Sequence, residues 1–531
     1  MDENEKMRKR NLIAYPLGTV GRDGIYQLFT NFILTFVLLT KGLTNGQIAV
    51  VTAIMVAARI FDAINDPVMG YVIERTRTKW GKFKPWLAIG MVSTVLVVIS
   101  IFTSPFEGWG FVVHFGICYI LYSVTYTMHD ISYWGMVPAL SSDADTRNNL
   151  TSRAILCAGI GGTLLSMLVP MLTIGDNPIG GSTKTAFGIV SIAVCVLAIG
   201  FICITIFGVI EPNPHTKKEE GEKTKHASIK DVVSTVLHNR PLMWMVIIFL
   251  IQQIGNGIIG GGVGSMYVYF TYGYKGGLYS LFSTIGVAAT AVLMVIYPMI
   301  SKKWERKQIM KVMMLVSTVG YLMMIAVGVF GGNLGMVGFW ILTIGYMLSN
   351  FGQYGFYLVM MISILNTVEY NEYHSGHREE AIITSTRPFL TKMASAIIVA
   401  FTSMTYLICR VTDVTKQISD IDSGTDTSEV KSQLIEALLT NVESNQKLGM
   451  LLLMTLVPFA LMFIAFVLYM KKYELTEKEY DRLVEELKVR HEKFPGLDGL
   501  PTPEMEVEYA KNHTETDELS SAEPEEVPLE E

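Results

Sequence analysis

Asp62 and Asp66 stand four residues apart in the apolar first half of Arg59–Trp86, RIFDAINDPVMGYVIERTRTKWGKFKPW. On a helix that spacing puts both carboxylates on one face. Two carboxylates so close repel unless one is protonated, paired or bound to a cation. Asn65 lies between them, and Thr127 in a later span can add a neutral hydroxyl. Hard cations prefer such oxygen ligands. Two carboxylates, an amide and a hydroxyl make a Na⁺ site, and with one carboxylate protonated the same set carries H⁺. Arg59, one turn before Asp62, offers a plainer alternative, internal neutralisation that would make both groups architectural.

A second set surrounds Asp130. Thr127 precedes it by three residues and Trp134 follows by four, on the same face. An aromatic face can stack on the apolar face of a sugar ring while a carboxylate accepts hydrogen bonds from its hydroxyls. The competing reading of Trp134 is packing or an interfacial anchor. Arg22 and Asp23 lie in the first apolar segment with Tyr26 one turn on, Arg153 begins the fifth, and Lys392 sits in the eleventh. A charge at the centre of a bilayer costs at least ~2.5–3.5 kcal/mol, so such groups mark an ion or substrate path.

These residues need a membrane around them, and the composition supplies one. Of 531 residues, 50% are hydrophobic and only 17% charged, against about 25% charged in a soluble domain. Mean hydropathy is +0.38. Twelve apolar segments are long enough to span, near 17–40, 45–73, 85–104, 110–138, 152–174, 186–210, 241–272, 278–300, 309–330, 336–365, 382–409 and 448–470. Lys and Arg crowd the N-terminus and the loops at 74–84, 212–240 and 301–311, and they are scarce in the alternate loops. The positive-inside rule puts those loops and both termini in the cytoplasm, in a plasma (inner) membrane. No basic patch with interleaved aromatics points to nucleic acid. MDENEKMRKRN is polar with no cleavable signal pattern, and the five cysteines read as apolar filler.

The expected architecture is an all-α integral membrane protein, twelve transmembrane helices in two six-helix halves. The expected division is 1–211, a cytoplasmic linker 212–240, and 241–472 with an external loop 410–447. A cytoplasmic amphipathic helix 473–495 and an acidic, disordered tail 496–531 complete it. Within 410–447, EVKSQLIEALL has helical spacing over the outer mouth, either a lid or a passive insertion. Thr476 and Glu479 form a capping box for the 473–495 helix. The G-x-G-x-x-G run Gly255–Gly260 follows no strand and reads as close helix packing or a flexible break. His374 and His377 are a weak metal signal. Asn149-Leu-Thr and Asn512-His-Thr match the glycosylation pattern but fall on the cytoplasmic side.

DAINDP followed by WGKFKPW, with YTMHDISYW in the fourth span, resembles the glycoside–pentoside–hexuronide:cation symporters of the major facilitator superfamily. GRDGIY, EYNEY with Lys392 downstream, and LTEKEYDRLVEEL support the resemblance, which covers residues 10–495. It implies a cation site at Asp62, Asn65, Asp66 and Thr127 for Na⁺, with H⁺ and Li⁺ as alternatives and no other cofactor. It implies a sugar site at Asp23, Tyr26, Tyr126, Asp130, Trp134 and Arg153, faced by Lys392, and by Tyr357 where the family has a Trp. A gate would involve Arg59, Arg147, Glu369 and Glu372. The spacing from Leu150 to Arg153 is shorter than the family's, and Arg387 is an added cation that could meet an anionic hexuronide or face the cytoplasm. The implied protein is a monomeric, cation-coupled sugar symporter and not an enzyme, since no nucleophile, metal or cofactor constellation is present. The alternative cargo in this fold is a lipid or other non-sugar solute.

Overall fold

The computed structural model describes residues 3–141, 143–210, 229–260, 262–330 and 334–493, so the expected acidic tail and most of the expected linker lie outside the described residues. The first half contains α1 (Glu3–Thr40), α2 (Asn45–Arg75), α3 (Lys84–Phe102), α4 (Gly108–Leu140), α5 (Ala144–Thr173) and α6 (Thr183–Gly208). The short α7 (Ile229–His238) leads into the second half, α8 (Arg240–Gly260), α9 (Gly262–Tyr272), α10 (Gly276–Ser301), α11 (Arg306–Phe330) and α12 (Gly335–Leu365). It continues through α13 (Thr367–Ser375), α14 (Glu380–Ile408), α15 (Val411–Ser423), α16 (Ser428–Thr440), α17 (Ser444–Lys472) and α18 (Glu477–Lys493). Among the described residues, twelve helical stretches are long and apolar enough to cross a membrane. The seventh is α8 and α9 in series. Among the described residues the only β feature is an isolated bridge between Thr78 and Gly81.

Local sequence sets the helix starts. Thr44 and Gln47 form a capping box on α2, and Asp143 and Ser182 cap α5 and α6. Pro67, inside α2 and directly after Asp66, removes one intrahelical hydrogen bond beside that carboxylate. Packing follows small residues. A Cβ on Gly320 would meet the Gly345 carbonyl and the Ser349 amide at 2.5 Å, so α11 and α12 touch backbone to backbone.

The face bearing the chain start and the Arg75–Lys84 turn is called the basic face. The opposite one, bearing α15 and α16, is the hairpin face. Segment 410–447 is therefore two helices rather than a loop with one. The spacing of Val411, Val414 and Ile418, all buried, makes α15 amphipathic where its many polar residues read as loop.

The described contacts between the halves gather on the hairpin face and at mid-depth. The Ser280 hydroxyl donates to the Met167 carbonyl at 2.6 Å, the Gly276 amide to the Ile174 carbonyl at 3.0 Å, and Thr52 to Ser403 at 2.7 Å. A side chain on Gly276 would collide with the Pro170 carbonyl, so glycine is what lets α10 close on α5. On the basic face the described bonds stay within a half, such as Arg10 to the Phe207 and Gly208 carbonyls and Arg240 to Glu474. The contacts between the halves close the cleft on the hairpin face.

Candidate functional site

α2 and α4 run in the same direction, so a four-residue step on one matches a four-residue step on the other. The result is a two-rung ladder. The Ser123 hydroxyl donates to Asp62 Oδ1, and one turn on Thr127 donates to Asp66 Oδ1 at 3.2 Å. Each carboxylate also has a cation. Arg59 Nη1 lies 3.8 Å from Asp62 Oδ2, and Lys392 Nζ, from α14 in the other half, is bonded to Asp66 Oδ2. The Asn65 amide nitrogen, Arg59 Nε and the Tyr119 and Tyr122 hydroxyls are buried here without a partner. The ladder thus offers carboxylate, hydroxyl and amide oxygens, a donor set suited to Na⁺ or a proton. Among the described residues no group of three or more His, Cys, Asp or Glu is placed to hold a metal ion, and His374 instead stacks on Tyr370 with centroids 4.2 Å apart.

The neighbouring cluster is organised by a residue outside the expected site. Arg22 Nη1 donates to Asp130 Oδ1 at 2.5 Å and Nη2 to Asp23 Oδ1 at 2.6 Å. Its guanidinium lies 4.9 Å from the Trp134 ring centroid and 5.4 Å from that of Tyr133. One arginine therefore holds both carboxylates and covers the aromatic face. Tyr26 and Tyr126 approach at 5.4 Å between centroids and complete this wall. The side chains of Asp66, Lys392 and Asp130 are 34%, 33% and 35% exposed, which makes this the accessible part of the cleft.

Three expected placements differ. Arg153 is exposed and donates to the Leu12 carbonyl at 3.3 Å, not to Asp23 or Asp130. α1 and α5 start at the same face, and Arg153 is as far into α5 as Leu12 is into α1. Asp23 lies eleven residues further on, about 16 Å along the axis. Arg59, grouped with the gate, stands beside Asp62 at mid-depth. Glu369 and Glu372 are held by Arg378 at 3.1 and 3.0 Å, inside the second half, while Arg147 is half-buried at the start of α5. Burial opposes the Arg378 charge, but the carboxylates of Glu372, Glu369 and Glu380 together outweigh this and raise its pKa. α18 joins that cluster: His491 lies 2.9 Å from Glu372, and Leu483, Leu487 and Arg490 are buried.

Tyr357 packs against Phe249 and Tyr354, with the Arg387 guanidinium 6.0 Å from its ring centroid. It is not brought into described contact with the first-half cluster. In the G-x-G-x-x-G run, Gly257 faces the Ile398 side chain and Gly255 faces Pro458, so the glycines serve helix packing.

A family model described as MFS/sugar transport protein matches residues 14–477. The chain is 26% identical over 508 residues to the lactose permease of Lactobacillus helveticus, covering 91% of this chain and 73% of that protein. It is 26% identical over 490 residues to the raffinose carrier protein of Pediococcus pentosaceus, covering 90% and 71%. The fold is similar to a bacterial homolog of the human lysosomal transporter Spinster in an inward-facing, unoccupied conformation. There the TM-score is 0.61 at 10% identity, over 89% of this chain and 99% of that one. With its twelve spans in two halves and an ion-paired cluster that Lys392 links across them, the chain belongs to the major facilitator sugar transport proteins, in the glycoside–pentoside–hexuronide symporter group.

Proposed function

We propose that this protein is a cation-coupled symporter of a neutral di- or trisaccharide that works by alternating access. The observation that carries the reading is the Lys392–Asp66 bond across the two halves, beside a ladder of oxygen ligands. A coupling ion arriving on Asp66, whether Na⁺, Li⁺ or H⁺, competes with the Lys392 ammonium. Binding therefore frees the link between the halves. A sugar competes in the same way with Arg22 for Asp23 and Asp130, and its ring takes the guanidinium's place over Trp134. An unoccupied, unpaired carboxylate is costly to close off from water, so the loaded carrier and the self-paired empty carrier are the forms that interconvert.

The Arg22–Asp23–Asp130 cluster carries one net negative charge, which favours a neutral sugar over a hexuronide. Its polarity argues against a lipid. The basic loops support cytoplasmic termini in the plasma membrane. Tyr357 and Arg387, which face each other within the second half, would meet the sugar's far end. Arg147, Glu369 and Glu372 would act at the cytoplasmic mouth when it closes.

The test is uptake into membrane vesicles of labelled galactosides, glucosides, xylosides and glucuronides under an imposed Na⁺ gradient at fixed pH, then under a pH gradient. Accumulation of one neutral sugar under one gradient, lost in Asp66→Cys and Asp130→Cys, is the expected result. No accumulation under either gradient, or coupling that persists in Asp66→Cys, overturns the reading.

A further inference from the structure

The α15–α16 hairpin is covalently part of the second half, between α14 and α17, yet it grips the first half at four places. The apolar stripe Val411, Val414 and Ile418 is buried, and α15 packs along α1. Thr412 is bonded to Asn45 at the start of α2. The Ser432 hydroxyl donates to Asp176 Oδ1, in the α5–α6 turn, at 2.6 Å. Asp422 Oδ2 accepts the Thr183 backbone N–H at 2.9 Å.

The last contact has a specific meaning. Thr183 is the first residue of α6, so its N–H is one of the four that a helix cannot satisfy internally. A carboxylate there both accepts the bond and meets the positive end of the helix dipole. α6 already has its own cap, Ser182, which takes the Thr185 amide. Asp422, only 7% exposed, is a second cap supplied by the opposite half of the molecule.

The hairpin is rigid and rigidly mounted. Lys431 Nζ donates to the Asp422 carbonyl at 2.7 Å, tying α16 to α15. Lys447 donates to the Leu439 carbonyl at 3.1 Å, and Gln446 to the Arg410 carbonyl at 3.0 Å, which fixes both ends to α17. Arg410 itself adopts φ 50°, the left-handed region, and turns the chain sharply from α14 into α15.

We propose that the α15–α16 hairpin is a latch: its cap on α6 and its seat on α1 hold the hairpin face shut, and both must release whenever that face opens. This rests on the alternating-access reading, because two halves that rock apart on that side must separate Asp422 from Thr183. The latch then sets the balance between the two open states without touching ion or sugar.

Thiol labelling of purified full-length protein tests it without knowledge of the substrate. The five native cysteines are replaced by alanine and Ser280→Cys is added as reporter, since Ser280 is buried between α5 and α10 on the hairpin face. Removing a cap by alanine shifts such an equilibrium about fivefold. Asp422→Ala should therefore label about fivefold faster with a bulky maleimide, and Asp422→Asn, which retains a capping oxygen, should stay near the parent. The double change Thr412→Ala with Ser432→Ala should act in the same direction, and it serves if Asp422→Ala fails to fold. Equal labelling in all these proteins overturns the latch while leaving alternation standing. A reporter that reacts in none of them until denaturation means the hairpin face never opens, and the alternating-access reading falls with the latch.

Discussion

The first and fourth spans of each half occupy matching places in the fold, and they are built from opposite chemistry. In the first half, α1 and α4 meet through Arg22, Asp23 and Asp130, three charges in one cluster. In the second, α8 and α12 meet through Gln252 and Gln353. The Gln252 amide donates to the Gln353 side chain and backbone carbonyl, both at 3.1 Å, and Gln353 donates to the Tyr321 hydroxyl at 2.9 Å. Both glutamines are essentially fully buried. The Gln252 Oε1 is left without a partner, yet neutral amides that bond one another join a helix pair without an ionisation cost, whereas charges within a membrane are expensive and persist where they serve a ligand. The comparison teaches that the ion-paired cluster is built by the first half, and that the second half joins it through Lys392.

The largest effect should come from the charged side. Asp66→Asn and Asp130→Asn each remove one partner of an ion pair in the cleft and should lower gradient-driven sugar accumulation at least ~100-fold. The mirror experiment is Gln252→Leu with Gln353→Leu. Removing both partners of a neutral pair costs about 1 kcal/mol or less, so initial uptake rates should stay within ~3-fold of the parent. If the glutamine pair proves as sensitive as the aspartates, the contrast between the halves is wrong.

Lys392→Gln sharpens the comparison at the ion pair that joins the halves, Lys392–Asp66. With its tethered counter-ion gone, the Asp62–Asp66 ladder should bind the coupling ion more tightly. Thermal unfolding followed by tryptophan fluorescence should show a midpoint that rises with added Na⁺ by about 3 °C more than in the parent. A midpoint that responds to acid but not to Na⁺ would instead name H⁺ as the ion.

An effect on stability alone concerns another buried cation of the first half. Lys41, in the turn after α1, donates to the Ser104 carbonyl at 2.7 Å and lies 4.6 Å from the Phe111 ring centroid. Burial lowers its pKa to about 8, and the positive charge of Lys184 adds to this. The unfolded chain keeps the ordinary value near 10.4, so between about pH 8 and 10.4 it binds more protons than the folded one. Stability should therefore rise with pH across that window, by at most ~3 kcal/mol, and Lys41→Met should flatten the rise in alkaline melting curves.

The spans were legible because hydropathy alone marks them, and the ladder was half legible because Asp62 and Asp66 carry their own helical spacing. Ser123 sits four residues before Thr127, the same step as the two aspartates, and that signal was there to be used. Arg22 is visible in the sequence as an intramembrane charge, but its hold on Asp130 joins residues 108 positions apart. No local pattern encodes which of several buried cations meets which carboxylate. Arg153 failed for the related reason that helix number does not give depth. Arg378 takes Glu369 and Glu372 because it lies one short turn away, while Arg147 belongs to the other half.

The seven ion-paired groups of the cleft have an electrical consequence. Asp23, Asp62, Asp66 and Asp130 face Arg22, Arg59 and Lys392, a sum of −1. In the proposed cycle a bound monovalent cation brings that sum to zero. A membrane potential does work of about 2.3 kcal/mol per elementary charge per 100 mV over the full bilayer, and less for charges that move part of the way. A potential negative inside then has no hold on the loaded carrier, and it pushes the empty one outward. Voltage would speed the return stroke and leave the delivery stroke to the concentration gradients.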